Sequence, residues 1–427
     1  MAALRGLNEA ETSTQTVPAN GTEIRTAASD MDIRLPAVFR HPNYRLFFFG
    51  QMVSLMGTWM QAVALGWLVY RLTNSPFLLG LVTFVSQAPL FFISPFAGPL
   101  ADRFNRRDVF VITQTLCMLQ AGVLTIMTFT GAVDIGWLLA LSLFGGIVAA
   151  VETPTRQSFT IEMVGREDLR QAIAYNAMMF NLARTIGPAI GGLLVAAVGE
   201  AYCFLLNTVS YAAVLASLLV MRLESKERLK TGHPLEEFLQ GLRYVTGHPR
   251  LRLALALSAV TGFFGMSFIA LLPAYTRDVM GQGSDALGAV MAAFGIGAFL
   301  GAATASRLQE RHVATAPIVA AIGMGLTLIC FANVDTLPLA VALVLPAGFS
   351  WLVIAVTNNI QIQFMAEDAI RGRVMGFYAM GALGSQAMGA LLLGFIADIF
   401  DVRTALMLGG AACLIGAAVV LRLSRRL

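Results

Sequence analysis

Twelve apolar runs, parted by short polar breaks, limit this chain more severely than anything else in its sequence. They fall at roughly 45–70, 77–100, 107–129, 135–157, 169–197 and 201–222, then at 251–275, 284–306, 313–333, 337–360, 373–397 and 403–423. About 20 apolar residues in a helix cross the hydrocarbon core of a bilayer. Inside lipid only a helix or a closed barrel satisfies every backbone N–H and C=O. The expected fold is an all-α membrane protein with 12 transmembrane helices. Charge content agrees: 13% of residues are Asp, Glu, Lys or Arg, against roughly 25% in a soluble domain. That removes a water-soluble globule or enzyme. The net charge of +4 implies no nucleic-acid partner, because the basic residues flank the spans of the lipid bilayer, where retention in the cytoplasm explains them.

One long internal break, from Arg222 to Arg252, divides the runs into six and six. It carries Glu224, Lys226, Glu227, Arg228 and Lys230, then an amphipathic piece around Glu236–Tyr244. The expected organisation is a disordered tail over 1–40, a six-helix bundle over 41–222, a linker over 223–250 and a second six-helix bundle over 251–427. The polar tail has no apolar core segment, so no cleavable signal is expected. Of 29 Lys and Arg, only Arg71, Arg277 and Arg403 sit at connections that follow odd-numbered spans, and Arg184 lies within a span. Cytoplasmic loops concentrate Lys and Arg, which places both termini and the linker in the cytoplasm. The halves also repeat. Arg103 and Arg107 recur as Arg307 and Arg311 at a shift of 204, Arg170 as Arg373 at 203, and Gly187 and Gly192 as Gly389 and Gly394 at 202. Matched six-helix halves around a central pathway are the build of alternating-access carriers. Cys117, Cys203, Cys330 and Cys413 fall inside apolar runs and are expected to be small buried residues with no disulfide framework.

Polar groups inside spans are expensive and mark candidate sites. In the first span Ser54, Gly57 and Gln61 share a face by helical spacing; Gln61 either binds cargo or ties helices together. Trp67 and Tyr70, near the outer end of that span, read as an interfacial belt. Glu152, in the cytoplasmic third of the fourth span, either takes up and releases a proton or pairs with Arg156 four residues on. The fifth span carries Asn176, Asn181 and Arg184. A guanidinium stays charged, so Arg184 needs a wet cavity, backbone carbonyls or an acid, whether on cargo or Glu152. Asn358, Asn359 and Gln361 in the tenth span are linings or caps, and Phe263, Phe264, Met266 and Phe268 in the seventh are an adaptable wall or bundle packing.

Between the second and third spans, Gly98-Pro-Leu-Ala-Asp102-Arg103-Phe-Asn105-Arg106-Arg107 resembles the cytoplasmic signature loop of the major facilitator superfamily, G-x-L-a-D-R-x-G-R-[RK]. Asn105 replaces the usual glycine; Asn also tolerates a left-handed backbone, so the turn is expected to persist. Gly187-Pro188-Ala-Ile-Gly191-Gly192 resembles the antiporter motif of drug/proton exporters in that superfamily, without its upstream glycines. Jointly, S-x-x-G-T-W-M-Q, W-L-V-Y-x-L-T-x-S-P, P-T-R-Q, N-L-A-R-x-x-G-P, C-F-L-L-N-x-V-S-Y and R-G-R-V-M resemble the transmembrane secretion effector branch over roughly 40–425. That branch includes enterobactin-type siderophore exporters. The resemblance implies a multi-pass protein of a bacterial-type inner membrane, exporting a small-molecule substrate by alternating access with protons as the driving partner. The expected substrate and proton pathway is Gln61, Glu152, Asn181, Arg184 and Asn358. The expected gating residues are Asp102, Arg103, Arg107, Arg156, Arg371, Arg373, Gly187 and Pro188, with the Glu367–Arg373 loop exchanging salt bridges with Asp102 and Arg103.

No G-x-x-x-x-G-K-[ST] occurs, so ATP is not the expected energy source and no cofactor is expected. No His/Glu or Ser/His/Asp cluster at one membrane depth supports an enzyme. An importer or facilitator, or a non-transporting receptor or scaffold, remains as an alternative.

Overall fold

The computed structural model describes residues 36–101, 105–165, 167–221, 234–367 and 370–426. Asp102 and Arg103, both expected at the gate, lie outside the described residues, as do residues 1–35 of the expected tail, residue 222 at the end of the expected first bundle and 223–233 of the expected linker. Among the described residues twelve helices are long and apolar enough to cross a bilayer: Pro42–Thr73, Pro76–Ile93, Arg106–Phe129, Ile135–Val164, Leu169–Val198 and Glu200–Val220, then Pro249–Val279, Ser284–Ala305, Arg311–Ala332, Leu337–Met365, Arg371–Ile399 and Val402–Ser424. They are numbered here as spans 1 to 12. Pro234–Gly247 forms a further helix ahead of span 7, where the amphipathic stretch is expected.

Local chemistry sets the ends. Span 1 stops at Asn74, which takes a left-handed conformation (φ 48°) and donates its N–H to the Tyr70 carbonyl; Pro76 then opens span 2. Asn105 behaves differently from expectation. Its backbone is extended (φ −65°, ψ 120°), and its side chain accepts the Arg107 N–H at 3.0 Å. It replaces the family glycine as a helix N-cap. Asp134 and Asp401 cap spans 4 and 12 likewise.

Lipid gives apolar helices no hydrophobic reason to associate, so close backbone approach at small residues has to hold the bundle. Two seams join the halves on this principle. Span 5 crosses span 8 with Gly192 against Gly288: a Cβ on Gly192 would stand 2.7 Å from the Gly288 Cα. Span 11 crosses span 2 with Gly394 against Gly80: a Cβ on Gly394 would stand 2.7 Å from the Pro76 carbonyl oxygen and 3.2 Å from the Gly80 Cα. The carbonyls of Pro188 and Ala390 face Gly288 and Gly80 in the same way. Within the halves, Gly187 packs on Trp59 of span 1 and Gly389 on Phe263 of span 7. The repeat read from glycine spacing is therefore a repeat of helix crossings.

The apolar clusters divide by depth. Pro42 and Ser424 stand at the end of the bundle called here the terminal end; connections that follow odd-numbered spans form the far end. The largest cluster lies toward the far end and includes Leu68, Tyr70 and Phe204 from the first half with Phe268, Tyr275 and Leu393 from the second. Toward the terminal end the clusters separate. One, with Tyr44, Phe110 and Phe159, belongs to the first half; others, with Ile354 and Ala417 or with Val245 and Val374, belong to the second half and the helix ahead of it.

Among the described residues three π-helical turns interrupt the second half: Thr261–Met266 and Tyr275–Val279 in span 7, and Met380–Gly384 in span 11. Such turns break the regular hydrogen-bond ladder and recur at functional positions. The cysteines correct one expectation: Cys117, Cys203 and Cys413 are buried, but Cys330 is exposed.

Candidate functional site

Arg184 stands where four spans converge. Its guanidinium carbon lies 5.6 Å from the centre of the Trp59 ring on span 1 and 5.1 Å from that of Phe294 on span 8. Nη2 donates to the Met266 sulfur on span 7 at 3.9 Å. Each half thus supplies two of the spans around one half-buried cation. A desolvated cation–π contact contributes on the order of 2 kcal/mol, whereas taking a charge out of water costs several kcal/mol. Among the described residues no carboxylate completes the balance. Glu152 pairs with Arg156 instead, Nη1 to Oε1 at 3.8 Å. Pro188, four residues after Arg184, has no N–H to offer the Arg184 carbonyl, which loosens the helix at this level.

The other expected pathway residues are placed differently. Gln61 accepts from Asn207 at 2.7 Å and donates to Gln120 at 3.3 Å, linking spans 1, 6 and 3 inside the first half. Asn181 donates to the Ala177 carbonyl of its own helix at 2.8 Å. Asn358 is 1% exposed and donates to Ser258 Oγ at 2.8 Å, while its Oδ1 has no partner. It lines a cavity of about 550 Å³ among spans 7, 9, 10 and 12, together with Arg250, Ile318, Gln361 and Phe364. That cavity lies within the second half.

The expected gating residues mostly fasten helix ends at the terminal end. Arg107 donates from Nε and Nη2 to the Leu218 and Leu219 carbonyls at 2.9 and 3.0 Å, filling acceptors that the last turn of span 6 leaves open. Arg106 pairs with Glu162 of span 4 at 2.9 Å. Arg371 donates to the Gln363 carbonyl at 3.2 Å, and Arg373 to Gln240 of the helix ahead of span 7 at 2.8 Å. The expected exchange of these arginines with Asp102 and Arg103 falls outside the described residues. Gly187 and Pro188 lie at helix crossings: a Cβ on Gly187 would stand 2.6 Å from Trp59 Cβ, and one on Gly288 2.7 Å from the Pro188 oxygen.

Polar contacts between the halves also occur at the far end, and sequence reasoning misses them. Tyr70 donates its hydroxyl to Asp278, and the Arg277 guanidinium stands 5.7 Å over the Tyr70 ring. Ser75 Oγ donates to Asp398 Oδ1 at 2.8 Å, and the Phe77 N–H reaches the same oxygen at 3.4 Å. Tyr70 is 3% exposed, which corrects its reading as part of an interfacial belt. Orientation counting weighs basic residues alone and passes over acids; Asp278 and Asp398, one residue from the ends of spans 7 and 11, were the available signal.

Comparison with known proteins fits this architecture. The family model described as transmembrane secretion effector matches residues 35–426. The staphyloferrin A transporter of Staphylococcus aureus is 26% identical over 86% of this chain and 92% of its own length. The multidrug efflux pump Tap of Mycolicibacterium fortuitum is 29% identical over 83% and 88%. The enterobactin exporter EntS of Shigella boydii is 26% identical over 85% and 87%. The fold matches the inward-facing, unoccupied crystal structure of a bacterial homologue of the human lysosomal transporter Spinster, with a TM-score of 0.72 at 14% identity, over 91% of this chain and 97% of that one. With twelve spans, glycine-built seams and a match along nearly its whole length, the chain is a transporter belonging to the transmembrane secretion effector family of the major facilitator superfamily.

Proposed function

We propose that this transporter exports small amphipathic molecules of drug or siderophore type by alternating access, driven by protons, across a bacterial-type inner membrane. The observation that carries the reading is the division of the apolar cores: one cluster binds the halves together toward the far end, while each half keeps its own toward the terminal end. A shared core and two glycine seams close one mouth of the pathway; separate cores favour an open one opposite. With Lys and Arg crowded at the terminal end, that mouth faces the cytoplasm. Cargo enters from there and reaches the level of Arg184. The bundles over 41–222 and 251–427 then rock on their seams, releasing Tyr70 from Asp278 and Ser75 from Asp398. The multidrug and siderophore relatives support the cargo class.

Glu152 is the proposed proton carrier. Its contact to Arg156 at 3.8 Å exceeds the ~2.8 Å of a charge-assisted hydrogen bond, so that cation holds the carboxylate only loosely. In proteoliposomes an imposed pH step should drive a fluorescent amphipathic dye out through the wild-type protein, and Glu152→Gln should carry the dye without responding to the step. Absence of any flux would sink the carrier reading; net inward accumulation would make the protein an importer.

A further inference from the structure

We propose that Arg184 is an anion-binding position in the pathway, and that the cargo presents a carboxylate attached to an aromatic or apolar body. This rests on the carrier reading above and adds the chemical class of the substrate to it. A guanidinium offers five N–H donors. Among the described residues its hydrogen-bond acceptor is the Met266 thioether, at 3.9 Å, and a thioether accepts weakly. Trp59 and Phe294 meet the cation through their ring faces, which leaves its N–H edges for something else.

Two comparisons within the molecule argue that the charge is there to meet a ligand. Three other arginines on the spans have polar protein partners: Arg71 has Glu200 at 2.8 Å, Arg156 has Glu152, and Arg107 has two carbonyls. The repeat supplies the second. At the shift of 202 that carries Gly187 to Gly389, Arg184 falls on Gln386. Gly389 packs on span 7 as Gly187 packs on span 1, so the crossing forms equally well beside a neutral amide. The cation is not a requirement of that packing.

The shape of the surroundings selects the ligand. A carboxylate matches the planar fork of a guanidinium in a bidentate pair, which a neutral amide cannot copy. The rings beside it offer flat apolar surface to the rest of the molecule. Trp59 and Phe294 come from opposite halves, so a ligand held here bears on both bodies that must move.

The test is equilibrium binding to the purified full-length protein in detergent, with 2-naphthoate, 2-naphthamide and 2-naphthyl phosphate as probes. The wild-type protein is expected to bind the acid at least tenfold more tightly than the amide, a difference of about 1.4 kcal/mol. Arg184→Gln should bring that ratio to about one, and Arg184→Lys should keep part of it, because a point charge remains without the fork. Equal binding of acid and amide to the wild type, no binding of the acid at millimolar concentration, or a ratio that survives Arg184→Gln would each overturn the proposal. Tighter binding of the phosphate ester would overturn the carboxylate assignment. The wild-type ratio stands even if a variant fails to fold. Flux of a neutral amphipathic dye separates the two readings: dye transport without acid preference rejects the anion position alone, and acid preference without transport of any probe rejects the carrier alone.

Discussion

Spans 5 and 11 occupy equivalent places in the two halves and have been used differently. Each lays a glycine on the opening span of its own half, Gly187 on span 1 and Gly389 on span 7, and a second glycine on a span of the opposite half, Gly192 on span 8 and Gly394 on span 2. The polar chemistry has diverged. Span 5 carries Arg184 and Pro188 where span 11 carries Gln386 and Ala390. Span 11 and its neighbour span 7 contain π-helical turns, whereas spans 5 and 1 are continuous α-helices. Duplication has kept the crossings, which lipid makes obligatory, and left the buried charge and the helical irregularities free to specialise. On this comparison the first half supplies the charged position and the second the π-helical turns.

The largest expected effect tests whether the two seams are equivalent. Gly192→Leu and Gly394→Leu should each cut flux in proteoliposomes by roughly 100-fold, because overpacking a tight crossing costs ~1–3 kcal/mol and opposes every excursion of the cycle. Similar losses would confirm matched seams; a loss confined to one would show that the halves pivot on that side. Next comes the divergence itself. Adding Gln386→Arg to Arg184→Gln restores the net charge but places it on the other half, and acid binding should stay about tenfold below wild type. Recovery would mean that the halves are interchangeable at this level. Asp278→Asn, with Tyr70→Phe as a separate variant, should weaken far-end closure by about 1.5–3 kcal/mol, the range for a hydrogen bond to a charged group. Spin-label distances across spans 1 and 7 should then show a population shift of tenfold or more toward a far-end opening. The smallest effect is expected for Arg107→Ala, which uncovers two carbonyls of span 6 and should lower thermal stability by about 1 kcal/mol without changing the acid-to-amide binding ratio.

Much of the scaffold was legible because membrane crossing leaves few choices. Apolar length gives the spans to within a few residues at most ends, and amphipathic patterning marks the helix ahead of span 7. Even the seam glycines Gly192 and Gly394 appear in the sequence as a repeat. The site was less legible, since a side chain's partner depends on which helix comes alongside. Gln61 gives no sign in sequence that Asn207 and Gln120 will absorb it. Tyr70 sits at the depth of an interfacial belt and yet turns toward Asp278, more than two hundred positions away. Asn105 stands at a glycine position and solves it by a different local device, a cap in place of a turn. Arg184 was conspicuous from composition alone; that aromatic faces from both halves would flank it was not.

A crossing made of bare main chain has a mechanical consequence. Where Gly192 meets Gly288, main chain lies on main chain, and one side-chain hydrogen bond, from Ser284 Oγ to the Gly192 carbonyl at 3.2 Å, has to break before one rod slides across the other. At that point the joint has little to repack, and it tolerates almost no added atom. In the proposed cycle, resistance to motion would then fall largely on the polar contacts at the far end, Tyr70 to Asp278 and Ser75 to Asp398.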